Sequence, residues 1–212
     1  MTIIDLSHTL ASGDLALAGT LSPELIRVKD IKTDGYCMTK ISIHSHNGTH
    51  IDAPSHMILG AKSLTDFPLS KFQGGAMVVN CHQYIKQEIP LSYLKNFEDS
   101  LNESEFIILH SGWYKKWNTP AYFDHYPVLS EEAALWLTNF KLKGIGLDMI
   151  SIDPIQSQTV PIHKIMLSHD ILIIENLNNL DAVASSSFIF QSFPIKYSGI
   201  DGSQVRAVAI KE

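Results

Sequence analysis

Four side chains able to hold a cation or move a proton crowd into eleven residues: His46, His50, Asp52 and His56, in the run His46-Asn47-Gly48-Thr49-His50-Ile51-Asp52-Ala53-Pro54-Ser55-His56. Imidazole and carboxylate are the donors of catalytic zinc, manganese or iron sites, which need no thiolate. Side chains two apart on an extended chain share a face, so His50 and Asp52 point the same way. Gly48 allows a bulge or a positive φ, a bend that could bring His46 to the same point. Three ligands on bonds of about 2 Å leave open positions for water or substrate, as a catalytic site requires. Pro54 stiffens the exit and can fix the direction of His56. Any one of these histidines is more often a surface or satisfied core residue, but four metal-capable groups interrupted by Gly and Pro are hard to explain as packing. A second candidate pair, His163 and Glu175, lies downstream; on residue type alone it reads more readily as packing than as ligation.

Other chemistries fit less well. His44-x-His46 matches the start of a metallo-β-lactamase motif, but Gly48-Thr49 replaces the Asp-His pair that should follow. The His-x-His of a TIM-barrel amidohydrolase belongs to a barrel of about 250 residues, longer than this chain. His44 is therefore expected on a strand, facing away. No Gly-x-Ser-x-Gly elbow is present, because Ser111-Gly112-Trp113 lacks the pattern. Cys37 and Cys81 read as packing thiols. Trp113, Trp117, Tyr122 and Phe193 could line a pocket, though aromatics so placed are more often core.

The elements that must position these groups can be read coarsely. Ile3 to Leu6 is an opening strand, and residues 13–23 are loop-like. Met38 to His46 alternates with Thr39, Ile41 and Ile43 on one face, as a strand does. Gly74 to Asn80 and Phe106 to His110 are short apolar strands of the kind buried in a sheet. Ser130 can cap a helix running to Leu137, with Glu131 and Glu132 at its positive end. Strands follow at Gly144 to Asp148, at Ile171 to Ile174 (ending on Glu175) and at Val205 to Ile210. The sum is a mixed α/β fold with a curled, barrel-like mixed sheet and flanking helices.

With 212 residues, 45 % hydrophobic and 18 % charged, the chain has the balance of a single globular domain over 1–212. A net charge of −6 without a compensating Lys/Arg run argues against nucleic acid. No basic start precedes an apolar stretch, and Ile171 to Ile174 is too short to cross a bilayer. Two cysteines make no disulfide framework, so a reduced, cytoplasmic setting without a membrane partner is expected.

The segment His46 to His56 resembles the cyclase-like metal-dependent hydrolases, which include bacterial kynurenine formamidases and isatin hydrolases: their stretch His-x-Gly-Thr-His-x-Asp-x-Pro-x-His is present without a departure. The resemblance extends through Asp5-Leu6-Ser7-His8, Ser111-Gly112-Trp113, Gly146-Leu147-Asp148, Ser151-Ile152-Asp153, Glu175-Asn176-Leu177 and Ile200-Asp201-Gly202-Ser203. It implies a swivelling β/β/α fold and a homodimer or larger homo-oligomer. It implies one or two divalent ions per chain, zinc or manganese. His46, His50 and Asp52 would bind the first, and Asp52 would bridge to a second held by His163 and Glu175. His56 would be the catalytic acid/base. The implied reaction on a small-molecule substrate is hydrolysis of N-formyl-L-kynurenine to L-kynurenine and formate, by metal-bound hydroxide. The rivals are a lactam, cyclic imide or lactone hydrolase and a catalytically silent metal-binding homologue. Between residues 14 and 21 the family carries an aromatic residue followed by Pro-Gly-Asp, whereas this chain has Leu17-Ala18-Gly19-Thr20. Leu17 thus stands at a substrate-binding position without the ring, a lost stacking contact of about 1 kcal/mol.

Overall fold

The computed structural model describes residues 1–17, 19–184 and 187–211. Its strands are β1 (Thr2–Asp5), β2 (Glu24–Lys29), β3 (Met38–Ser42), β4 (His50–Asp52), β5 (Gln73–Asn80), β6 (Glu88–Ile89), β7 (Phe106–His110), β8 (Val128–Leu129), β9 (Gly144–Leu147), β10 (Leu172–Glu175), β11 (Phe188–Gln191), β12 (Gly202–Gln204) and β13 (Val208–Lys211). The α-helices are α1 (Ile31–Asp34), α2 (Leu91–Leu94), α3 (Glu98–Asn102), α4 (Glu131–Leu137) and α5 (Pro161–Ser168). Nine strands form one curled mixed sheet in the order β1-β13-β11-β5-β7-β9-β10-β4-β12. The central four, β5, β7, β9 and β10, are parallel, and the flanking pairs are antiparallel. The mixed α/β architecture is the one expected.

Alternation along the central strands divides the core between the two faces of the sheet. Ile107 and Leu109 of β7 and Ile145 and Leu147 of β9 pack toward Ala133, Leu137, Met166 and Leu167 of α4 and α5. Phe106 and Ile108 face the other way, with Ile51, Leu172, Ile174 and Phe190. Helix α4 starts as expected: the Ser130 hydroxyl accepts from Ala133 N–H at 3.2 Å. Among the described residues, no helix is long and apolar enough to cross a membrane.

Four expectations are corrected. Strand β3 stops at Ser42 instead of reaching His46, because residues 44–47 turn back: Asn47 N–H donates to His44 O, and Asn47 Oδ1 accepts from His44 N–H. His44 is consequently an exposed turn residue beside the site cavity, and not a strand residue facing away. The C-terminal strand expected at Val205 to Ile210 is β13 at Val208–Lys211, and Gly202–Gln204 before it forms a separate strand, because the two pair at opposite ends of the sheet, β12 with β4 and β13 with β1 and β11. Cys81 is a buried thiol as expected, whereas Cys37 is exposed beside the β2–β3 ribbon.

Candidate metal centre

Strand β4 is three residues long and carries two of the donors. Ile51 is fully buried on one face, so His50 and Asp52 share the other, as the period of two requires. Neighbouring β10 runs antiparallel with Glu175 directly opposite His50, which puts a carboxylate beside that imidazole. Gly48 has φ of +69°, and the bend there returns His46 toward the strand. The His46 ring sits against Gly202, where a Cβ would lie 2.5 Å from His46 Cε1, so no larger residue leaves room for it. His163 arrives on the first turn of α5. There Asp153 accepts from Ile162 N–H and His163 N–H at 3.0 and 2.9 Å, and its Oδ2 lies 2.6 Å from His163 Nδ1.

These groups meet. His50 Nε2 is 3.3 Å from Asp52 Oδ1 and 3.5 Å from Glu175 Oε2. His163 Nε2 is 3.5 Å from Glu175 Oε1 and 3.9 Å from Asp52 Oδ2. His46 Nδ1 is 2.7 Å from Asp52 Oδ1. One ligand atom from each of His50, Asp52 and Glu175 lies within 4.8 Å of the others, and the same holds for His46, Asp52 and His56. The six residues named from the sequence therefore converge. His56 stands close enough to be grouped with the donors, its ring 4.0 Å from that of His46 and 5.9 Å from that of His163.

The arrangement calls for a cation. His50 Nδ1 lies 2.9 Å from Gly48 O, an acceptor, so Nδ1 carries the proton and Nε2 presents its lone pair to two carboxylates. His50 Nε2 and Asp52 Oδ2 are both buried without a hydrogen-bond partner among the described residues. Buried acceptors facing one another are costly unless positive charge lies between them. Two neighbouring imidazoles supply part of that charge. Burial opposes ionisation of His163, but its hydrogen bonds to Asp153 and Glu175 and the charges of Glu175 and Asp52 outweigh it, raising His163 to about 10. His46 rises to about 9 in the same way, against burial and through Asp52 and Asp201. Asp52 is held well below the usual carboxylate range, since its interactions with the neighbouring His50 and His46 overcome its burial. His56 moves down, through burial and the positive His46 and His163, so its ring is neutral at pH 7. Nitrogen and carboxylate donors without sulfur suit zinc, manganese or iron.

Sequence reasoning missed the residues that hold these donors. Asp201 Oδ2 is 2.8 Å from His46 Nε2 and 3.5 Å from His56 Nδ1, linking the two rings. Asn176, fully buried with φ of +58°, donates from Nδ2 to Gly48 O at 2.8 Å and accepts from Tyr122 OH at 2.9 Å. Gln204 Nε2 donates to the carbonyls of His44, Ser45 and Asn47, holding the turn before Gly48. Asp201 and Asn176 stand inside the quoted segments, where a carboxylate before a glycine and an amide after Glu175 were the available signals.

A cavity of about 620 Å³ opens over the centre. Leu15, Leu17, Met57, Trp117, Ile155 and Val160 give it apolar walls. Leu17 lines this cavity; Ala18 of the same altered stretch lies outside the described residues. Trp117 stacks on His8, with centroids 4.1 Å apart and planes 11° apart, and offers an aromatic surface to the cavity. Trp113 and Tyr122 are core residues, and Phe193 packs by Phe72 away from the site.

The Cyclase family model matches residues 4–154. A kynurenine formamidase of Bacillus cereus is 31 % identical over 169 residues, covering 80 % of this chain and 78 % of the relative. An uncharacterized protein of Methanocaldococcus jannaschii is 30 % identical over 215 residues, 99 % of this chain and 100 % of its own. Among solved structures, an isatin hydrolase bound to the product analogue thioisatinate superposes with a TM-score of 0.86 at 22 % identity, covering 98 % of this chain and 91 % of that one.

Proposed function

Because this chain belongs to the Cyclase family, we propose that it is a metal-dependent hydrolase of carbon–nitrogen bonds, acting on a small aromatic formamide such as N-formyl-L-kynurenine. The observation that carries the reading is the convergence of three buried donors, with His50 Nε2 3.3 Å from Asp52 Oδ1 and 3.5 Å from Glu175 Oε2. His46, His50 and Asp52 would hold a first divalent ion, zinc or manganese, and Asp52, His163 and Glu175 a second. Such a cation supplies Lewis-acid polarisation and lowers the pKa of water toward about 7.

The remaining work falls to the chain's own residues. His56 is neutral at pH 7, and its Nδ1 faces Asp201, which leaves Nε2 to accept a proton from water and return it to the departing amine. Protonation matters because an expelled amide nitrogen is a poor leaving group. Asp153 fixes the orientation of His163, and Gly48 O fixes that of His50. Leu15, Leu17 and Trp117 would receive the flat apolar part of the substrate and exclude water from it. We further propose that the protein assembles with copies of itself and binds neither nucleic acid nor membrane.

The similarity to the Bacillus cereus kynurenine formamidase supports the formamide reading. The cavity wall at Leu17, where the family carries an aromatic ring, favours a second one: ring opening of a lactam, cyclic imide or lactone. A panel of N-formyl anilides, isatin-type lactams, cyclic imides and lactones separates the two. Chelation followed by zinc or manganese reloading should abolish and restore turnover of the preferred substrate. Turnover that persists in protein shown to be metal-free contradicts the proposal, and so does a reloaded protein inert to the whole panel.

A further inference from the structure

Three more donors meet at the C-terminal ends of β5 and β7, on residues distinct from those of the His50 centre. His110 closes β7 and is 1 % exposed. His82 follows β5 in a short turn, its N–H donating to Asn80 Oδ1 at 3.0 Å. Asp181 lies in the single turn Leu180–Val183. His82 Nε2 is 3.3 Å from His110 Nε2, and Asp181 Oδ1 is 3.1 Å from that same nitrogen. One ligand atom from each lies within 4.8 Å of the other two.

Hydrogen bonding alone accounts poorly for this cluster. His110 Nε2 can share one proton with His82 or with Asp181, not with both at full strength. A tetrahedral cation on bonds of about 2.0–2.1 Å spaces its ligands roughly 3.3–3.4 Å apart, close to both measured separations. His110 is buried, and both His82 Nε2 and Asp181 Oδ1 face its Nε2. Its Nδ1 has no partner among the described residues, so no acceptor or donor there commits Nε2 to either role. The carboxylate is already aimed: Asp181 Oδ2 accepts from Tyr114 OH at 2.8 Å and from Lys115 Nζ at 2.7 Å, leaving Oδ1 toward the histidines. Gly112 clears the approach, since a Cβ there would lie 3.0 Å from His82 Nε2.

We propose that His82, His110 and Asp181 form a second site for a divalent transition metal of the zinc type, separate from the hydrolytic centre. Two imidazoles and one carboxylate favour zinc, nickel or cobalt over magnesium or calcium. The exposed sides of His82 and Asp181 leave the fourth position to water. A bound ion clamps the ends of β5 and β7 to the turn Leu180–Val183, downstream of Glu175 on the same chain.

The test is metal stoichiometry by elemental analysis after equilibrium dialysis against zinc, on whole protein. His82→Ala alters an exposed side chain and should hold one zinc fewer per chain than the unaltered protein. His50→Ala should keep this ion while losing from the other centre, so the two sites fail independently. Cobalt in place of zinc should give tetrahedral visible absorption that His82→Ala abolishes. Equal zinc content in the unaltered and His82→Ala proteins overturns the proposal, as does loss of this ion in His50→Ala.

Discussion

At the scale of single residues, the account assigns separable tasks to neighbouring groups. His50→Ala or Asp52→Ala should lose turnover and the metal of this centre, because each removes a buried donor that the remaining carboxylates cannot replace. His56→Ala should keep its metal and lose about 10²–10⁴-fold in kcat, read from metal content alongside steady-state kinetics. Unchanged kcat would remove His56 from proton transfer, and lost metal would make it a ligand instead. Asn176→Ala should cost about 1–3 kcal/mol of stability by denaturant titration, since Gly48 O and Tyr122 OH lose a buried partner. His46, His50, Asp52 and His56 were legible as a group because their types and the Gly between them are local in sequence, whereas His163 and Glu175 read as packing by type and were reached only through the family resemblance. Asp201 and Asp153 were not. Their partners His46 and His163 lie 155 and 10 residues away, and only the fold brings Asp201 to His46.

At the scale of elements, the site depends on the three-residue strand β4, clamped between β10 and β12. Ile51→Ala should destabilise the protein by about 2–5 kcal/mol and weaken metal binding, because the strand it anchors carries His50 and Asp52. Metal affinity unaffected by a measured loss of stability would separate the strand's packing from its display of ligands. Asp153→Ala should lower metal affinity about 10–100-fold by freeing His163 on α5, a loss that Ile162→Val, a smaller core change on the same helix, should not reproduce. The apolar central strands and the Ser130-capped helix α4 were legible because burial and capping leave local patterns. The end of β3 was not, since Ile43 continues the alternation while Asn47 and Gln204 bend the backbone. The separate strand β12 and the later start of β13 were equally hidden, since both are set by pairing partners at opposite ends of the sheet.

At the scale of the whole molecule, the β2–β3 ribbon carries apolar residues that reach no core: Ile26, Val28, Met38 and Ile41 are 40–60 % exposed. A two-stranded ribbon is marginal in water by itself, and self-association would bury this one. Ile41→Lys should shift the sedimentation behaviour toward the monomer; an unchanged assembly would place the contact elsewhere. Metal uptake must also displace the protons that His46 and His163 hold near neutrality, so affinity should rise with pH through the range up to about 9–10. The most direct measurement of the central claim is an anomalous difference map from crystals of the zinc-loaded protein. The account predicts a peak at bonding distance, about 2.0–2.2 Å, from His50 Nε2 and an Asp52 carboxylate oxygen. An empty map at that point, with the side chains of His46, His50 and Asp52 turned into separate environments, would contradict it.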